Sequence, residues 1–372
     1  RYKAWSRGLG DVYKRQTLMS EELRTAAERI DETYDVVVLS LAERFQPVTS
    51  GAFTLTEDYT LTTEAFAAYL ALLEPDGLFV IHRWLQDPPS ETVRTLATIL
   101  AALDVPDPAR HVAAFRSFQH GTFVVFPAGF ADDEMEALLA GVDDLRYDLT
   151  LAPRMPEEMV NRYARLPEPV YAETYRELIE APDPEAFFAS QPFDVTPPTD
   201  AHPFFFHYFR AEQTPEVLDN LGRRWQPFGG SGYFVLVALL AFAVAAALLF
   251  VLLPVVLRRR FRDALRGIGR AWSARVLGYF TLLGLAFLLV EVSLIQQFIL
   301  LLGRPTLAVA TVIGALLLWS GLGSSLSARF DWRVAMLALV VLLVAYPLLV
   351  SALAPLLLPV SLPLRMRAVA LL

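Results

Sequence analysis

Two hydrophobic patterns share this chain. From Gly232 onward apolar residues run in long, nearly uncharged stretches, whereas before it they come in short bursts broken by charges and prolines. Gly232 to Leu257 carries no charge and as a helix would span about 39 Å, more than a hydrocarbon core of about 30 Å. The pattern predicts four membrane spans, at about 232–257, 276–303, 306–326 and 334–353, followed by a proline-broken apolar tail.

Upstream, the bursts have strand and helix periods. Tyr34 to Ser40 (YDVVVLS) reads as a strand buried on both faces, because its apolar residues follow one another without alternation. Glu57 to Leu73 repeats apolar residues at Leu61, Ala65, Ala68 and Leu72, one face of a helix, with Thr56 as N-cap and the acids Glu57 and Asp58 in its first turn. Glu74 to Gly77 (EPDG) stops it, and Leu78 to Ile81 reads as the next buried strand, beside the first. Pro89 to Leu103 is helical, and His111–Phe115 and Gly121–Phe126 form a hairpin. The order β-α-β-α-β-β predicts an α/β sheet with one strand antiparallel to the rest, followed by an α-helical transmembrane bundle.

Composition agrees with a division into two halves. The chain is 55% hydrophobic, too apolar for two water-soluble domains, and the net charge of −8 belongs mostly to the upstream half. No basic stretch interleaved with aromatics occurs there, so nucleic acid is not an expected partner; the lipid bilayer is. No cysteine is present, which excludes disulfides and thiolate chemistry, and no cluster has metal-ligand spacing. Arg1 to Gln16 is basic, unpatterned and similar to translated adapter sequence, so it is set aside as a non-native leader. The chain reads as a fragment that lacks upstream membrane helices. The expected divisions are 1–16 leader, 17–130 α/β domain, 131–230 helical extension and linker, and 231–372 transmembrane region.

The motifs YDVVVLS, TEDYTLTTEAFAAYLALLEPDGLFVI (Thr56–Ile81) and GTFVVF (Gly121–Phe126) together resemble the second half of a class I S-adenosylmethionine-dependent methyltransferase fold, with a Rossmann-type sheet. The acidic-Tyr helix start leading into L-x-P-x-G resembles spermidine synthases. With PTDAHPFFFH (Pro198–His207), FGGSGY (Phe228–Tyr233) and the spans around Glu291, Gly303 and Gly321, the chain is similar to the membrane-bound spermidine-synthase-like proteins of bacteria over residues 20 to 330. The resemblance implies an inner-membrane protein, S-adenosylmethionine or its decarboxylated form as cofactor, a small-molecule amine substrate, and aminopropyl or methyl transfer. The glycine-rich turn that receives the cofactor in such folds would lie upstream of Thr17.

The resemblance also implies an acid just after the first strand, to take the proton of the attacking amine. Ser40 stands there, and a serine hydroxyl is a poor base; Glu43 is the nearest substitute. Glu57 and Tyr59 edge the same crevice at the carboxyl end of the strands, and His82, directly after a strand, is expected to face it. The aromatic run Phe204–Phe209 packs at the bilayer surface, packs under the domain, or boxes a polyamine.

In the apolar half Glu291 is the one acid inside a span, where a charge costs at least ~2.5 kcal/mol, so it needs a partner or a proton. With Gln296 and Gln297 it either joins helices or lines a transport path; in that alternative reading the protein is a transporter or binding protein and the α/β module is non-catalytic. Arg258, Arg259, Arg260, Arg262, Arg266, Arg270 and Arg275 face Asp263 alone in one loop, which places that loop in the cytoplasm. The α/β domain would then lie outside, away from a cytoplasmic donor.

Overall fold

The computed structural model describes residues 23–40, 57–215, 230–253, 270–302, 305–326, 329, 331–357, 360 and 362–371. Residues 31–283 form one compact unit; 284–372, together with the start of the chain, form another. The leader, Glu43, Thr56 and most of the arginine-rich loop lie outside the described residues.

The first unit is built on a five-stranded mixed sheet in the order β1 (Tyr34–Leu39), β2 (Leu73–Trp84), β4 (His120–Val125), β3 (Val112–Arg116), β5 (Asp148–Leu151). β1 and β2 are parallel, paired Val36 to Leu78, Val37 to Phe79 and Val38 to Val80, so the two expected strands are neighbours. The other neighbouring pairs are antiparallel, and β3–β4 is the expected hairpin. The ladder of β1 and β2 slips between Tyr34 and Val36, where the EPDG segment bulges out before regular pairing resumes at Leu78. A Cβ on Gly77 would lie 3.0 Å from the carbonyl oxygens of Tyr34 and Glu74 and from the Leu73 Cβ, tighter than ordinary contact, so the bulge favours a glycine.

Helix α1 (Leu23–Ala27) precedes β1 in the chain and α6 (Pro184–Ser190) follows α5; one face of the sheet is covered by α2 (Thr63–Ala71), α3 (Glu91–Leu103) and α5 (Val170–Glu180). Phe79 and Ile81 turn toward it, with Phe66 edge-on to Phe79 at 5.6 Å and Tyr69 at 5.8 Å. On the opposite face α4 (Asp132–Asp144) covers the β3–β5 end, where Val142, Leu149 and Met159 pack with Phe115 and Tyr147.

At β1 the expected burial fails. β1 is the sheet edge, and Val36 and Val38 are 50% and 53% exposed. An apolar run is buried on both faces only if a layer lies on each, and among the described residues none covers that side of β1. A further strand was unforeseen: β5 is four residues long, within the stretch expected to be helix and linker, and joins the sheet through β3.

The apolar half is helical. α7 (Gly230–Ala247) runs on through a π turn (Leu248–Leu252); α8 (Arg270–Leu302), α9 (Pro305–Leu326), α10 (Trp332–Leu357) and α11 (Leu362–Leu371) follow. Within α8 and α9, Gly278–Ile299 and Thr306–Leu326 are long and apolar enough to cross a membrane. α7 and α10 also carry apolar helical stretches, at Val237–Phe250 and Arg333–Tyr346 among the described residues. In the second unit Phe298, Leu301 and Leu302 pack with Ala308, Val312 and Val369, and the buried Arg365 donates to the Leu301 carbonyl at 2.7 Å.

Candidate functional site

In a parallel β1–α2–β2 unit the carboxyl ends of both strands and the N-termini of the following helices lie along one edge of the sheet. Ser40 follows β1 there and is exposed. Glu57 and Tyr59 reach the same edge in the turn that enters α2. Tyr59 is buried, and its phenol donates to Glu57 Oε2 at 3.3 Å. Chain topology therefore gathers three of the expected residues on one edge.

The entry to α2 differs from the expected one. Glu57, Asp58 and Tyr59 precede the helix by several residues and form a turn in which Asp58 Oδ1 accepts from the Thr60 amide at 2.9 Å and the Thr60 hydroxyl at 2.5 Å. The N-cap is Thr62, whose Oγ1 accepts from the Ala65 amide at 3.2 Å. Asp58 is occupied by its own turn, and Thr62 has extended backbone and Glu64 in the first turn after it, as a cap requires.

His82 does not follow the strand but lies within it, because β2 runs on to Trp84. Its face is the one turned away from α2 and α3, and Nδ1 lies 2.9 Å from the hydroxyl of its cross-strand partner Thr122. Burial, and then the charges of His120 and Arg83, hold its imidazole below the usual histidine range. His82 is thus on a different surface from Tyr59.

A contact with no counterpart in the sequence reading closes this edge. The segment Asp194–Tyr208 lies against the N-terminal ends of α2 and α3. The Pro198 carbonyl accepts from the amide and hydroxyl of Thr63 at 2.9 and 3.1 Å, the Thr62 hydroxyl donates to Asp200 Oδ1 at 2.7 Å, and the Asp58 amide donates to the Pro203 carbonyl at 2.7 Å. From α3 the buried Arg94 donates to the carbonyls of Asp194, Phe204 (3.1 Å) and Phe205 (2.5 Å). Its guanidinium also lies 3.4 Å from Asp194 Oδ1 and 4.6 Å from the centre of the Tyr208 ring. Burial works against ionisation of Asp194, yet Arg94 and hydrogen bonds from Thr196 hold its carboxyl below the usual range. The aromatic run is therefore part of the α/β unit: Phe205 and Tyr208 are buried, and the cations on their rings are the protein's own Arg83 and Arg94. The one available signal was an arginine on the apolar face of the α3 repeat.

A second buried charge pair serves the scaffold. Arg116 and Asp148 meet at 3.1 Å; Asp148 also accepts from the amides of Arg162, Tyr163 and Ala164, and Arg116 donates to Asn161 Oδ1 and the Ala164 carbonyl. Both charges are satisfied from several directions, as buried ions must be.

In α8 Glu291 and Gln297 are half-buried and Gln296 is exposed. They occupy a helix long enough to span a bilayer, Glu291 about two turns before the buried Phe298 and the two glutamines directly before it. No protein-family model matches the chain, and no curated protein matches it.

Proposed function

We propose that this chain belongs to a membrane-anchored, spermidine-synthase-like transferase that uses S-adenosylmethionine or its decarboxylated form as donor and a small amine as acceptor, in the bacterial inner membrane. The observation that carries this reading is the parallel β1–α2–β2 unit, which brings Ser40, Glu57 and Tyr59 to the edge where open α/β sheets take ligands. In such a transfer the amine nitrogen forms a bond to the carbon attached to sulfur, the carbon–sulfur bond breaks, and the amine loses a proton. Ser40 is a poor acceptor for that proton. Glu57 is a carboxylate on the same edge, and the Tyr59 phenol holds it in place, so Glu57 takes the role of base and Tyr59 positions it. The two long apolar helices supply the anchor.

Membranes containing the full-length protein, given labelled donor and a panel of amines, test the reading. Transfer that falls roughly a hundredfold in Glu57→Gln, the size of a general-base contribution, supports it. Absence of transfer from every amine, or transfer untouched by Glu57→Gln, refutes it. A second reading is favoured by the half-buried Glu291 in a helix of spanning length: transport through the helical half, with the α/β module non-catalytic. Loss of proton-coupled uptake in Glu291→Gln, with assembly intact, would select it.

A further inference from the structure

The segment over the N-termini of α2 and α3 is constructed as a loop with closed feet. The Asp194 amide donates to the Tyr208 carbonyl at 3.0 Å, joining the two ends. At the tip, Thr199 pairs with His202 as an isolated bridge. Beyond the neck the chain is pinned independently: the Arg210 guanidinium donates to the carbonyls of Phe188 and Ala189, and the Gln213 side chain to that of Pro192. A loop whose ends are joined, and whose exit is fastened elsewhere, can leave its seat without dragging the rest of the chain.

The loop is held to its seat by the buried side chains of Val195, Phe205 and Tyr208 and by a set of polar contacts. Outer contacts run from the loop to Thr62, Thr63 and Asp58 at the entry of α2. Inside, Arg94 enters at the neck and binds carbonyls from both feet, Asp194 on one side and Phe204 and Phe205 on the other. A planar guanidinium with five donors in a fixed fork can hold two chain segments at once, which a lysine, as a point charge, cannot do.

We propose that Asp194–Tyr208 is a flap over the edge that carries Glu57 and Tyr59, locked by Arg94 and opening as a unit about its joined feet. The proposal goes beyond the transferase reading and holds whatever the edge binds. While the flap is seated, the Thr63 amide at the start of α2 is occupied by the Pro198 carbonyl, and the neighbouring Asp58 amide by that of Pro203. An anionic or polar ligand approaching α2 must displace the flap first.

Hydrogen exchange followed by mass spectrometry on the purified full-length chain in detergent tests this. In the wild type at low denaturant, amides of 194–208 are expected to open before those of β2 and β4 and as one group. In Arg94→Gln, exchange across 194–208 is expected to rise about tenfold or more, with β2 and β4 changed less than about twofold. Arg94→Lys should fall between the two. If the flap amides of the wild type exchange only together with the sheet, the segment is ordinary core and the proposal fails, whether or not the variant folds. It fails equally if Arg94→Gln folds and leaves 194–208 as protected as before.

Discussion

Arginine has two structural uses in this unit, and both depend on what surrounds the charge. Arg116 and Asp148 are buried together, and Asp148 also serves three backbone amides, so removing its charge leaves a guanidinium without its anion in a place water does not reach. Asp148→Ala is expected to destabilise the unit by about 3–5 kcal/mol, read from denaturant unfolding. The histidines make stability depend on pH. His82 is held below the usual 6.5 by burial, then by His120 and Arg83; His207 is held below it by burial and then by Arg94, with Asp194 opposing. In both the unfolded chain takes up the proton first. Stability should therefore be level above about pH 6.5 and fall as pH drops below it, until the folded-state values are passed. Thermal unfolding from pH 8 to 5 checks the sign: the decline should shrink in His207→Gln and shrink further when His82 is replaced as well.

At the scale of elements, an apolar run identifies a strand but not its layer. β1 and β2 were both legible as strands, and their parallel pairing followed from the helix between them. The burial of β1 was not legible, since the same Val-Val-Val run suits an inner strand or an edge whose outer face stays open. The difference is measurable. Val36→Thr and Val38→Thr should each change stability by no more than about 0.5 kcal/mol, as at exposed positions. Ile81→Ala, fully buried under the helices, should cost about 2–5 kcal/mol. Equal costs at Val36 and Ile81 would mean that another layer covers β1. β5 was missed because four residues are too few to show a period, and its reason for being a strand is the partner it finds in β3.

For the whole molecule, the arginine count and the proposed chemistry of the domain make opposite demands on topology. By the loop charges the α/β domain is expected outside, whereas the donor of the proposed transfer is cytoplasmic. Ser273→Cys, near the start of α8, decides between them when intact cells are treated with a membrane-impermeant maleimide. The charge count predicts no labelling until the membrane is opened. Labelling from outside would return the domain to the donor's side and strengthen the transferase reading.

The sequence by itself determined the apolar helices and four of the five strands, because run length, side-chain period and β-α-β order are local properties of a chain. Only the tertiary structure decided that Thr62 caps α2, that His82 faces the opposite side of the sheet, that β1 is exposed, and that Arg94 binds both feet of a distant loop. Each of these depends on a partner 40 to 138 residues away or on the layer beyond, and burial and hydrogen-bond satisfaction are settled by what arrives on the other side.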